Sequence, residues 1–331
     1  MLANTDPRTA SELAATYESQ IKGKIVLTTG VSPGGIGAAF VTGIARAQPE
    51  LLILAGRNLA KVQQTADSVS ALGVKVRVLE LDLISLSAVR AAAKELNSWD
   101  DVPRIDVLVN NAAVMAIDWA ESPDGFDSQF AVDHLGPFLF TNLIIGKLLN
   151  APAPRIVNIS SDGHRLSPIR FDDYNFRDGE YYHKWLSYGQ SKTANMLMAI
   201  SLAEKLGPKH NLSAFSVHPG VVESNLADHL KLYGDDNPDM TLMLETDRFL
   251  GNAVGFEGFS GVTTCTSEVG ANTYVYAAFD PEVTAHNGAY LQSCRLSDPW
   301  TDVVRPWATS PVEAERLWKL SEKLVGQEFS Y

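Results

Sequence analysis

The chain is poor in cysteine. Only Cys265 and Cys294 occur in 331 residues, so no disulfide framework is implied and a reducing compartment, the cytoplasm, is expected. It has no surplus of positive charge: the formal net charge is −12, which disfavours non-specific binding to nucleic acid or to an anionic membrane. It has no long apolar run. None comes near the roughly 18 residues that a membrane span needs, and Met1–Arg8 is polar with no apolar core, so neither a span nor a signal peptide is expected. Repeats of fixed period and low-complexity tracts are missing too. His164, His183 and His218 show no metal-ligand spacing and read as loop or cap residues, so no metal is expected. An apolar share of 45% is ordinary for a globular protein and sufficient for a full core.

What is present is an alternation of strands and helices. Thr9–Ile21 can form a short helix on Leu13, Tyr17 and Ile21, an N-terminal extension over residues 1–22. Lys24–Thr29 reads as a buried strand and runs into Gly30-Val31-Ser32-Pro33-Gly34-Gly35-Ile36-Gly37, then into an apolar helix. Strand, glycine turn and helix N-terminus together make an anion site, where backbone N–H groups face the ligand and glycine permits the close approach of a pyrophosphate. A second strand, Leu51–Ala55, ends at Gly56-Arg57-Asn58, where dinucleotide folds discriminate between the two nicotinamide cofactors. An acid there would bind a ribose 2′-hydroxyl. Arg57 supplies a guanidinium instead, which suits a 2′-phosphate, and Lys61 stands one helical turn on.

Val74–Leu81 is a third strand, followed by Asp82 and Leu83. Asp82 either caps the next helix or meets the adenine amino group, and Ser85 or Ser87 would serve equally as cap. Ile105–Val109 is a fourth strand, ending in Asn110-Asn111-Ala112-Ala113, whose amides can stitch neighbouring strands. Phe126–Leu149 reads as one long helix. Arg155–Ile159 is a fifth strand ending in Ser160 and Ser161, at the edge of the ligand crevice of an open sheet. Residues 162–184 form an aromatic-rich insert before a helix that holds Tyr188 and Lys192 and is expected to stop at Gly207-Pro208. Leu212–Val217 is a sixth strand, ending in His218-Pro219-Gly220-Val221-Val222-Glu223-Ser224. The stretch 225–261 is long and apolar, as a substrate lid would be. A helix over Glu268–Phe279, a last strand at Ala289–Leu291 and a helix opened by the capping box Ser310-Pro311-Val312-Glu313 complete the chain. The alternation predicts an α/β fold over residues 23–331, one doubly wound parallel sheet with helices on both faces and no second core.

Tyr188 and Lys192 are four residues apart on one helical face. An ammonium beside a phenol favours the phenolate, so this tyrosine is expected to have a lowered pKa and to act as a general acid or base. The plain alternative is a surface tyrosine with a lysine one turn on. No other tyrosine has a lysine at that spacing.

In this order the glycine turn, Asn110-Asn111-Ala112, Ser161, Tyr188-x-x-x-Lys192 and Pro219-Gly220 resemble the short-chain dehydrogenase/reductase family, across roughly Gly23 to Gly326. The long gap from Ser161 to Tyr188, the run Tyr188–Asn195 and the closing Arg316–Glu322 resemble its retinol-dehydrogenase and WW-domain-oxidoreductase branch. The glycine turn and the N-terminal helix resemble fungal members of that branch. The resemblance implies a Rossmann fold and a set of roles. Tyr188 is the implied general acid/base, Lys192 lowers its pKa and holds the nicotinamide ribose, and Ser161 orients a substrate carbonyl. Gly30, Ser32, Gly35, Ile36 and Gly37 hold the pyrophosphate, and Arg57 with Asn58 the 2′-phosphate. Asp82 and Leu83 lie by the adenine, and Asn110 and Ala112 on the adenosine side. Pro219, Gly220, Val222 and Ser224 stand at the nicotinamide. The glycine turn is one residue longer than the commonest spacing, and Ala113 stands where many members have glycine. Asp133 stands where an asparagine usually helps hold a water of the proton relay; a carboxylate accepts hydrogen bonds but cannot donate them.

The resulting expectation is an NADPH-dependent reductase of a ketone or aldehyde in a largely apolar small molecule, such as a fungal secondary metabolite. A non-catalytic NADPH-binding sensor, or an epimerase or dehydratase on the same fold, are the alternatives. The Phe126–Leu149 and Tyr188–Leu206 helices resemble family dimer surfaces, which leaves a homodimer open unless the 162–184 insert covers them.

Overall fold

The computed structural model describes residues 5–232, 237–252 and 264–331. Parts of the expected lid, residues 233–236 and 253–261, lie outside the described residues, as do the first four residues of the N-terminal extension.

Eight strands form one sheet in the order β3-β2-β1-β4-β5-β6-β7-β8. They are β1 (Ile25–Thr29), β2 (Leu51–Gly56), β3 (Val76–Glu80), β4 (Val107–Asn110), β5 (Arg155–Ile159), β6 (Ser213–His218), β7 (Tyr290–Gln292) and β8 (Arg295–Leu296). The first seven pair in parallel, and β8 pairs antiparallel to β7. Two residues are too few to carry an alternation, so β8 has no sequence signal. The strand order reverses between β1 and β4, which opens a crevice at their C-terminal ends. Apolar residues bury both faces of the central strands, as parallel sheets require. Among the described residues no helix is long and apolar enough to cross a membrane.

Several helices differ from expectation. The N-terminal helix is two pieces, Ala10–Thr16 and Glu18–Ile21, and a reciprocal Thr9/Glu12 capping box opens the first. The long helix expected over Phe126–Leu149 starts after Asp127, widens into a π-turn at Ala131–Leu135, runs through Gly136–Leu143 and restarts as Ile145–Leu149. The Tyr188 helix does not stop at Gly207-Pro208. It runs from Lys184 to His210 with Pro208 inside it, and ends where Asn211 turns left-handed at φ +53° and returns its N–H to Gly207 O. Ser267–Gly270 and Asn272–Phe279 replace one expected helix. In the expected lid, Asn225–Ala227 is a 3-10 turn and Pro238–Phe249 is a helix.

The final helix, Pro311–Val325, lies where its Trp318 meets Phe138 edge-on at 4.9 Å and its Glu315 takes Lys205 at 2.7 Å. Its Ser321 hydroxyl is 2.7 Å from His134 Nε2. It therefore covers both helices that carry the expected dimer surface, and the insert adds Tyr174 against Phe126 and Phe130.

Candidate active site

The cofactor-type residues gather along the crevice. The turn after β1 is built so that nothing but glycine fits two of its corners. A Cβ on Gly30 would stand 2.6 Å from Ala112 Cα, and one on Gly37 would stand 2.5 Å from Asn111 Nδ2. Gly35 is the N-cap of the Ile36–Ala45 helix and brings no side chain to its open N–H groups. These groups are left for an anion, with Ser32 and Ile36 on either side. Asn111, read from sequence only as one of two stitching amides, ties this turn together. Its Nδ2 donates to Thr29 O and Gly30 O at 2.9 Å, and its Oδ1 accepts from Tyr274 at 3.1 Å. The loop after β6 closes against the turn: Asn225 Nδ2 donates to Pro33 O at 3.3 Å and Ser267 Oγ to Gly34 O at 3.0 Å. Polar loop residues of this kind carry no motif, so the sequence does not single them out.

Arg57 and Asn58 follow β2. Asn58 caps the Leu59–Ser70 helix through Lys61 N–H. Arg57 and Lys61 are exposed, and among the described residues no acid lies within ion-pair distance of either. Ser85, not Asp82, caps the Leu86–Asn97 helix, which leaves Asp82 at the end of β3 with one bond, from Ile84 N–H at 3.3 Å. Leu83 is buried with its backbone against Gly136. The side chain of Asn110 turns into the protein, where Nδ2 donates to Asn158 Oδ1 at 2.9 Å and Thr141 Oγ1 at 3.1 Å. Ala112 packs on Gly30. Pro219, Gly220, Val222 and Ser224 follow β6, with Val222 bridged to Cys265. This lining suits a nicotinamide dinucleotide: a glycine cradle stands at a helix N-terminus for the pyrophosphate.

Ser161, Tyr188 and Lys192 come together beside this crevice. Ser161 ends β5 and starts the 3-10 turn Asp162–Leu166, its hydroxyl oxygen accepting from Gly163 N–H at 3.0 Å. Tyr188 lies in the Lys184–His210 helix, whose N-cap is the His183 side chain. The ring lies beside Ser161: a Cβ on Gly163 would meet both Tyr188 Cε1, at 2.6 Å, and Ser161 Oγ, at 3.4 Å. Gly163, with no part in the sequence reading, makes this approach possible, since a Cβ there would stand 2.6 Å from Tyr188 Cε1. Its only signal is a glycine two places after a candidate serine.

Tyr188 is 5% exposed. Burial pushes its pKa above the ordinary value, and Lys192 and Ser161 only partly offset this. The expected net lowering is therefore not what the protein shows: desolvation of the phenolate outweighs the ammonium 5.3 Å from the ring centroid. The fourth residue explains part of the shortfall. Asp133, at the centre of the π-turn, lies 3.3 Å from Lys192 Nζ, with both side chains buried. It also accepts from Val114 N–H at 2.8 Å and from the Ser191 hydroxyl at 3.0 Å. Burial raises the Asp133 carboxyl, and these three donors draw it back toward the ionised form. Removing one partner from such a pair costs about 3–5 kcal/mol. Asp133 thus holds Lys192 directly and pulls part of its field away from the phenol.

Apolar side chains wall the far side of Tyr188. Met240 and Met243 of the Pro238–Phe249 helix join Trp185, Leu166, Ala116 and Leu232 in one buried cluster with it. A carbonyl brought to Ser161 and Tyr188 would lie against this wall.

Residues 24–175 match the family model described as short chain dehydrogenase. The chain is 34% identical to human retinol dehydrogenase 14 over 92% of its length and 87% of that protein's. It is 34% identical to the short-chain dehydrogenase/reductase prx1 of Penicillium rubens, over 92% of this chain and 86% of that one. A crystal structure of an uncharacterised protein from Mycobacterium paratuberculosis superposes with a TM-score of 0.68 at 31% identity, covering 94% of this chain and 96% of the other. The chain belongs to the short-chain dehydrogenase/reductase family, oxidoreductases that use a nicotinamide dinucleotide and act on CH–OH or carbonyl groups.

Proposed function

We propose that the protein is an NADPH-dependent reductase of ketones or aldehydes in largely apolar small molecules, with Tyr188 as the general acid. The observation that carries this is the buried Tyr188 ring set beside Ser161 at the Gly163 turn and walled by Met240, Met243 and Trp185. The cofactor, when bound, supplies the hydride. Ser161, its oxygen already accepting from Gly163 N–H, has its proton to give to the carbonyl oxygen. Tyr188, raised above its ordinary pKa, is protonated at neutral pH and so loaded to complete the alcohol. Lys192 remains near enough to stabilise the phenolate left behind, and Asp133 fixes its position.

Tyr188→Phe should abolish turnover of NADPH with a panel of apolar ketones and aldehydes while NADPH binding survives. A fully active variant sinks the assignment. Tight NADPH binding by the native chain with no turnover would favour a sensor, and isomerised or dehydrated product an epimerase or dehydratase. The preference for NADPH rests on Arg57 and Lys61. Arg57→Ala should raise KM for NADPH about tenfold or more and leave NADH unaffected, and equal effects on both would refute it. Arg57 is the position to change, because a Cβ on Gly56 would stand 2.9 Å from the buried Val62.

A further inference from the structure

The Ser161 turn carries a second ionisable pair that the chemistry above does not use. Asp162 follows Ser161 and is 3% exposed, and its Oδ2 lies 3.6 Å from Nε2 of His218, which is 5% exposed. Strands β5 and β6 bring them together: Ile159 pairs with Val217, and Ser160 N–H donates to Val217 O at 2.8 Å. The contact is within ion-pair range and beyond hydrogen-bond length. Among the described residues, Asp162 Oδ1 and both ring nitrogens of His218 have no hydrogen-bond partner. A carboxylate this deeply buried must be compensated by charge or take up a proton.

The groups that face the pair narrow the choice. His164 and Arg165 come from the same turn, Tyr188 from its helix, Tyr290 from β7, and Asp302 and Arg305 from the segment before the final helix. Burial holds His164 down to about 3, with Nδ1 against Ser161 O at 2.8 Å, so it is neutral. Arg165 bonds to Asp247, and Asp302 to Arg295 at 2.6 Å. Arg305 meets the turn through its backbone N–H on His164 at 3.3 Å. His218 lies 3.6 Å from Asp162, and an imidazole can hold or yield a proton.

We propose that Asp162 and His218 are a positioning pair that shares one proton and sets how readily Tyr188 releases its own. This rests on the reading of Tyr188 as the acid. With its proton the pair is neutral overall. Without it a bare carboxylate is left beside Ser161, and its charge opposes formation of the phenolate. In the step affected, the Tyr188 O–H bond breaks and the proton passes to the substrate oxygen; the pair exchanges nothing with the substrate.

The test is kcat for carbonyl reduction against pH in the native chain, His218→Gln, Asp162→Asn and the double variant, with Tyr188→Phe as control. His218→Gln leaves Asp162 without its cation, so kcat should fall about tenfold on the alkaline side, where the uncompensated carboxyl ionises, with KM for NADPH unchanged. Adding Asp162→Asn to it should restore the rate, whereas merely structural damage would accumulate. A double variant as slow as His218→Gln, or pH profiles that overlay in all variants, overturns the proposal. An active Tyr188→Phe overturns instead the reading beneath it. If His218→Gln does not fold, histidine-labelled NMR of the native chain decides. The His218 ring should hold the proton of the pair in the native chain and lose it in Asp162→Asn at the same pH, read from its ring nitrogen shifts, and a ring whose protonation does not respond to that substitution overturns it.

Discussion

The approach of Tyr188 to Ser161 hangs on a residue with no side chain. Tyr188 and Ser161 reach each other because Gly163 leaves room for the ring, its missing Cβ being 2.6 Å from Tyr188 Cε1. Tyr188 is buried, so at that distance either its ring or the Ser161 turn has to shift. A displacement of about 1 Å at a reacting group costs roughly 100-fold in rate. Gly163→Ala should therefore lower kcat by about two orders of magnitude while NADPH still binds, read by steady-state kinetics beside a fluorescence titration. Native-like turnover would show that the turn can shift without cost. The same scale shows why Tyr188 and Lys192 were legible and their balance was not. Spacing places two groups on one helical face. It says nothing of the burial that raises the phenol or of Asp133 arriving at 3.3 Å from another helix.

Among the elements, the Pro238–Phe249 helix shows how a long connection becomes part of a site. At its start Asp239 takes Lys184 Nζ at 2.5 Å, and its carbonyl accepts from Trp185 Nε1 at 3.0 Å. Near its end Asp247 pairs with Arg165 at 3.3 Å, both fully buried, and also accepts from Asn252. Thr246 adds a contact to His183 at 3.3 Å. The helix is thus fastened to the Ser161 turn at one end and to the start of the Tyr188 helix at the other, with Met240 and Met243 between. Asp247→Ala leaves Arg165 without this carboxylate in a buried place, and should cost about 3–5 kcal/mol in denaturant unfolding and raise KM for apolar substrates. Arg165→Met combined with Asp247→Leu should recover most of the stability, because an apolar pair removes the desolvation cost of both charges. A single variant as stable as the native chain would contradict this. The sequence marked the stretch as apolar and lid-like, but an ion pair spanning 82 positions has no local signal.

For the whole molecule, the position of the final helix decides how the chain can associate. Trp318 and Phe329 both meet Phe138 edge-on, at 4.9 and 5.8 Å, and Tyr331 bonds to Asn142. Arg90 holds Val325 O at 2.9 Å. The C-terminal helix and tail therefore pack on the Gly136–Leu143 and Lys184–His210 helices, the surfaces that the family resemblance implies for a dimer. A monomer is expected in sedimentation equilibrium. Deletion of residues 311–331 should expose Phe138 and produce dimers or aggregates, and a dimer of the intact chain would place its interface elsewhere.

The sequence alone determined the alternation of strands and helices, the parallel sheet, the glycine cradle and the helical face shared by Tyr188 and Lys192. These depend on periodicity and on backbone demands that act within a few residues, where the chain is its own environment. Tertiary structure decided the rest: the π-turn that delivers Asp133 to Lys192, the Asp162–His218 contact, the Arg165–Asp247 fastening, and the helix that continues through Pro208. Each depends on which distant groups are buried together. Desolvation, which sets the charge and the acidity of a group, is a property of that three-dimensional neighbourhood and is not written in spacing along the chain.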